Sequence, residues 1–289
     1  QEVKERTDLT IKMANVARVS AEAASDQLTA VWNSADKTLS FVEGGSTEPE
    51  LPPVTTDHNH CICGGVQPDG HSCADVGFTK LTQADFTNAT EDSAPVRISG
   101  SNYLLEAGSY YLGEDITVGK SIVTVDGATV NLCLNGKTIT GTDNATGSFA
   151  LITNKGELTI TGDGKMTLTA TNNRGWNAYS SVISNQRGKL TVNGGTIEHL
   201  GGTDMAYAID NLTNGKSTYA ETIINGGVIK STYRAIRQFL NGVEAQNILT
   251  VNGGTIEGTN KSIWMQDANK SANPGALTVA GNAAIKGDV

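Results

Sequence analysis

The chain has 289 residues, enough for one large domain or two, and carries a formal net charge of −9 with a pI near 4.9. That charge argues against nucleic acid or an anionic membrane surface as a partner, and no run of about 18 apolar residues is present to span a bilayer. Glycine is abundant at 33 residues while aromatics make up only 5%, which favours a solenoid of small turns and thin aliphatic layers over a globule built round an aromatic core.

Residues 1–46 read as a small β-rich segment. Leu9, Ile11 and Met13 alternate like a strand, and the Ala-rich stretch 14–27 also fits a helix. Leu28-Thr29-Ala30-Val31-Trp32 and Thr38-Leu39-Ser40-Phe41-Val42 read as a hairpin across Ser34-Ala35-Asp36-Lys37. Residues 47–57 hold three of the six prolines among mostly polar neighbours, the composition of an extended linker.

Residues 58–77 form a Cys/His knuckle. His58-Asn59-His60-Cys61-Ile62-Cys63-Gly64-Gly65, followed by His71-Ser72-Cys73, gathers three of the four His and three of the four Cys within sixteen positions. Zn²⁺ takes four Cys or His ligands tetrahedrally, so the density predicts a structural zinc site. Cys61, Cys63 and His71 are the first candidates, with Cys73, His60 or His58 as the fourth. The Cys-x-Cys spacing is tighter than the usual zinc pattern, and a disulfide from Cys61 or Cys63 to Cys73 is the competing reading. A catalytic zinc needs an open position and usually a nearby general base, which Asp57, Asp69 and Asp75 do not mark.

Residues 78–289 are organised by repetition. Asn102 to Leu112 and Ile116-Thr117-Val118 read as first strands, and the less regular residues around them are candidates for a cap over the open end. Cys133, in Leu132-Cys133-Leu134-Asn135-Gly136, reads as a buried free thiol. Leu190-Thr191-Val192-Asn193-Gly194-Gly195-Thr196-Ile197-Glu198 then returns at Thr222 to Lys230 and at Leu249 to Glu257, with weaker copies at Leu158 to Gly164 and Leu277 to Asn282. Markers Asn135, Thr161, Asn193, Asn225, Asn252 and Ala280 are spaced 26, 32, 32, 27 and 28 residues apart.

Each unit holds three short β-branched runs in constant order. An Asn-Gly hairpin meander does not explain that order. A right-handed parallel β-helix with three strands per coil does, with the Gly pair turning a corner at positive φ. The stacking predicts a ladder of Asn154, Asn185, Asn211 and Gln238, with Gln266 next. It places Ile152, Ile183, Ile209 and Ile236 inside, continued by either Ile263 or Trp264, and Thr153, Ser184, Asp210 and Arg237 outside. On that footing Ile209→Asp is expected to be costly and Asp210→Ala nearly neutral.

The His58 to Gly65 run, Gly108-Ser109-Tyr110-Tyr111-Leu112, Leu132 to Thr140 and the Asn-Gly-Gly coils together resemble a group of large surface proteins of gut Firmicutes. These carry a pectate-lyase-like right-handed β-helix. The resemblance covers residues 58–289 and implies a secreted or wall-attached protein. It implies little about activity, because that fold hosts enzymes and adhesins alike. Gln1 in place of Met, and a strand-like run at the far end, read as an excerpt of a longer secreted protein.

Two functional surfaces follow from the coils. Arg174, Trp176 and Tyr179 sit in one long insertion, Tyr207 ends the equivalent insertion Gly201 to Tyr207 a coil later, and Tyr233 and Arg234 lie at the same corner further on. Aromatics on one edge suit stacking on sugars or anchoring a protein partner. The preferred expectation is an adhesin for host or dietary glycans, or for a mucosal protein such as an immunoglobulin. The alternative is a polysaccharide lyase or hydrolase centred on Asp210 and Arg237, which fall on neighbouring coils of one outward row. An exposed ion pair, worth about 0–1 kcal/mol, is the plainer account of those two. Glu198, Lys230 and Glu257 form a second outward row, and His199, the one histidine of the coils, reads as a surface residue.

Overall fold

The computed structural model describes residues 28–33, 38–43, 58–62, 75–171, 178–202, 204–214, 219–241, 246–267 and 275–289, the first two as backbone alone. The chain divides into two units, residues 1–54 and 55–289. In the first, Leu28–Asn33 and Thr38–Glu43 pair antiparallel with Trp32 opposite Leu39, the expected hairpin. The alternation around Leu9, the Ala-rich stretch 14–27 and the linker 47–57 lie outside the described residues.

The second unit is a parallel β-solenoid with three strands per coil, gathered into sheets of 8, 8 and 7 strands. Sheet 1 carries Phe149–Asn154, Ser180–Gln186, Ala206–Asn214, Arg234–Asn241 and Lys261–Asp267. Sheet 2 carries Thr129–Cys133, Glu157–Thr161, Lys189–Val192, Tyr219–Ile224 and Gln246–Val251. Sheet 3 carries Lys137–Asp143, Gly164–Ala170, Thr196–Gly201, Val228–Ser231 and Thr255–Gly258.

The core is a set of aliphatic columns. Ile122, Ile152, Ile183, Ile209, Ile236 and Ile263 stack in register on sheet 1, so Ile263 and not Trp264 continues the inner row. Ile139, Met166, Ile197, Ile229 and Ile256 do the same on sheet 3. All are at most 2% exposed, and burying each aliphatic side chain contributes about 1.5–3 kcal/mol.

Two amide ladders hold the corners. Asn154 Nδ2 donates to Asn185 Oδ1 at 2.8 Å, Asn185 to Asn211 at 2.9 Å, and Asn211 to Gln238 Oε1. Asn154 and Asn185 also reach the carbonyls of Lys189 and Glu221 in sheet 2, at 3.0 and 2.8 Å. Each amide therefore joins successive coils and closes the turn between two sheets. Gln266 is not the next rung: Met265 lies opposite Gln238, because the strands keep one unbroken parallel register, and Gln266 falls opposite Phe239.

The second ladder runs through the Asn-Gly-Gly corners. Asn252 donates to Asn225 at 2.9 Å and Asn225 to Asn193 at 2.8 Å. The second glycine of each corner, Gly195, Gly227 or Gly254, holds φ between +76° and +85°. A Cβ on Gly227 would stand 2.5 Å from the Gly195 carbonyl oxygen one coil below, so both the turn and the stacking require glycine.

The N-terminal end of the stack is closed by less regular structure. Thr79–Leu81 adds to sheet 2 beside Gly108–Leu112, and Val96–Ser99 pairs antiparallel with Asn102–Leu105. Between them the short helix Gln83–Thr87 buries Phe86 edge-on against Tyr103, with ring centroids 5.3 Å apart. Among the described residues no helix is long and apolar enough to cross a membrane.

Candidate binding face and a His-Cys cluster

The outer row of sheet 1 runs Thr153, Ser184, Asp210, Arg237, Trp264. Alternation puts these side chains outward, but outward is not exposed here. Asp210 is 0% exposed and Arg237 2%. The guanidinium grips the carboxylate with two bonds, Nε to Oδ1 at 2.7 Å and a terminal nitrogen to Oδ2 at 2.6 Å. Rings lie around it: the Arg237 guanidinium carbon is 4.5 Å from the Tyr207 centroid, 4.6 Å from Phe239 and 5.4 Å from Tyr179. The expectation of an exposed pair is thus corrected. A second layer of aromatic side chains, invisible to strand periodicity, covers it.

Tyr207 belongs to that buried layer at 0% exposure, and burial pushes its hydroxyl up to about 12. It supports the face from beneath, stacked under Trp264 at 6.4 Å and 22°. Above it, Tyr233, Arg234 and Trp264 are all half-buried. The Arg234 guanidinium lies 3.8 Å over the Trp264 ring and 4.5 Å over Tyr233, while its Nε donates to Asn260 at 3.2 Å. The Tyr233 hydroxyl donates to the exposed Asp204 at 3.2 Å. The result is a cation–aromatic platform rimmed by a carboxylate and an amide. Of the expected binding residues, Tyr179 is half-buried beside Arg237, and Arg174 and Trp176 lie outside the described residues. Arg234 was expected at this corner beside Tyr233; Trp264 was read only as a possible inner-row residue, although the coil spacing from Arg237 places it on the outer row.

Sheet 3 shows a row of alternating charge, Glu198, Lys230, Glu257 and Lys286, on successive coils. Glu198 is bracketed by Lys165 and by Lys230, the latter at 2.6 Å. Burial pushes the Glu198 carboxyl up, but the two lysines outweigh it and hold the group below its ordinary value. His199 is fully buried, contrary to expectation, with Nε2 2.9 Å from Ser180 Oγ.

Of the six expected metal ligands, Cys63, His71 and Cys73 lie outside the described residues. Cys61 is disulfide-bonded, the competing reading for this segment. His58 and His60 approach a third residue from the coils, Cys133, which is buried and free as expected. Their ligand atoms all lie within 4.8 Å of one another. The segment reaches Cys133 because Asn59–His60 pairs antiparallel with Val76–Gly77, and the Asn193 amide donates to the Ile62 carbonyl at 2.9 Å. The first rung of the corner ladder thus ends on the knuckle. Burial, and then the neighbouring His60, hold His58 below the usual imidazole range, and burial pushes the Cys133 thiol up.

Compared with known protein families, with curated proteins and with solved structures, the chain finds no match in any of the three.

Proposed function

We propose that this chain is a carbohydrate-binding module of a secreted or cell-surface protein, and that the Tyr233–Arg234–Trp264 platform is its contact face. The observation that carries the reading is the half-buried Trp264 with Arg234 3.8 Å over its ring, edged by Asp204 and Asn260. Aromatic rings offer pyranose C–H faces a flat apolar surface at low entropic cost, and side-chain carboxylates, amides and guanidinium groups meet the hydroxyls. The resemblance to surface β-helix proteins of gut Firmicutes supports an extracellular setting. Cleavage of a polysaccharide by Asp210 and Arg237 has less support, since both are buried and paired to each other. A catalytic group must come within hydrogen-bond reach of its substrate.

The test is a glycan array read with the full chain and with Trp264→Ala. Binding to a defined set of glycans, weakened at least about tenfold by the substitution, is the expected result, the loss of one anchor of the kind that dominates binding faces. An array without signal, together with capture of a mucosal protein by the same face, would move the reading to protein recognition.

A further inference from the structure

We infer that His58, His60 and Cys133 form a zinc site that clamps the N-terminal knuckle onto the flank of the solenoid. This goes beyond the binding reading and uses none of its residues. Three observations carry it.

The donors are of the right kind and converge. Two imidazoles and one thiol place all ligand atoms within 4.8 Å, although Cys133 is 75 positions from His58 in the chain. A tetrahedral zinc with bonds of about 2.0–2.3 Å spaces its ligand atoms roughly 3.3–3.7 Å apart. His58 Nε2 and Cys133 Sγ, at 3.2 Å, already stand near that spacing.

The orientation of His60 is set for coordination. Its Nδ1 is 2.7 Å from the Cys61 carbonyl oxygen. A carbonyl only accepts, so Nδ1 carries the proton and Nε2 presents a lone pair. That Nε2 is buried and has no hydrogen-bond partner. An imidazole held by a backbone carbonyl through one nitrogen while the other faces a metal is the usual outer-shell arrangement.

Aromatic rings wall two sides of the site. His58 stacks on Tyr111 at 4.6 Å and His60 on Phe78 at 4.3 Å. Cys133 packs with Phe78 and Tyr111, with Ile62 and Val76 alongside. Apolar rings on these sides strengthen a charged centre, and the half-buried histidines leave the fourth zinc position open to water. The thiolate comes from the coils and both imidazoles from the knuckle, so the metal bridges two parts of the chain. Soft sulfur with imidazole selects Zn²⁺ over Mg²⁺ or Ca²⁺.

The test uses the full chain, stripped of metal by a chelator and kept free of reductant so that the Cys61 disulfide persists. Co²⁺ is titrated in as the probe. A sulfur-to-metal charge-transfer band in the near ultraviolet and tetrahedral bands in the visible, saturating at one equivalent and displaced by Zn²⁺ but not by Mg²⁺, are the expected result. Cys133→Ser is expected to abolish the near-ultraviolet band. His58→Ala with His60→Ala, at positions only half-buried, is expected to weaken Co²⁺ binding at least about tenfold, on the scale of disturbed metal sites. If Cys133→Ser fails to fold, the histidine pair decides alone. No charge-transfer band in the parent chain, or the same band in either variant, overturns the assignment; in the second case the knuckle's own cysteines would hold the metal.

Discussion

At the scale of the residue, the buried Asp210–Arg237 pair contributes more than its place in an outward-facing row suggested. Removing one partner of a buried ion pair leaves the other charge without compensation, which costs about 3–5 kcal/mol. Asp210→Ala is therefore expected to lower the unfolding free energy by that amount in urea, in the same range as Ile209→Asp, for which at least ~3 kcal/mol is expected. Replacing both charges, Asp210→Leu with Arg237→Met, should restore much of the loss, because two well-packed apolar groups need no partner. A near-neutral Asp210→Ala would mean that water reaches the pair. Sequence alternation told which way Asp210 points. It carried no sign that Tyr179, Tyr207 and Phe239 would fold over it, since those rings come from three different coils.

At the scale of the element, the two ladders make the same bond in different surroundings. Asn211 is 0% exposed, whereas Asn252 is exposed. Asn211→Ala strands the Gln238 acceptor and leaves the Asn185 amide to its bonds with Gly188, Glu221 and Thr222, and a buried unsatisfied group costs about 1–3 kcal/mol. Asn252→Ala leaves Asn225 to water and should cost less than about 1 kcal/mol, within the ordinary range for an exposed hydrogen bond. Equal shifts in the denaturant midpoint for the two variants would show that the corner, not burial, sets the contribution. The first ladder was legible because four amides recur at coil spacing two residues after an isoleucine. It failed at Gln266, where residue type was followed in place of register. The second ladder was missed although Asn193, Asn225 and Asn252 are identical in type, because the same Asn-Gly-Gly was read only as a turn.

At the scale of the whole molecule, acid response should trace to the charged row on sheet 3. The folded carboxyl of Glu198 sits below its unfolded value, so its pairing with Lys165 and Lys230 is fully present above the ordinary carboxylate range. That contribution falls away as the pH drops through the lower folded value. Glu198→Gln should therefore flatten the fall of Tm on the acid side of about pH 4.5 while changing its slope little near neutrality. The fold itself was legible because three β-branched runs recur in fixed order and only stacking explains that order. The His-Cys cluster was half legible: the knuckle announced His58 and His60, but Cys133 joins them through an antiparallel pairing of Asn59–His60 with Val76–Gly77 that no local pattern signals. The amide ladders also bear on how such a protein can change. Asparagine meets asparagine above and below. A segment duplicated or excised at matching rungs therefore finds the same neighbour it had before. The stack can grow or shrink by whole storeys, and a cut that falls between them strands a buried amide.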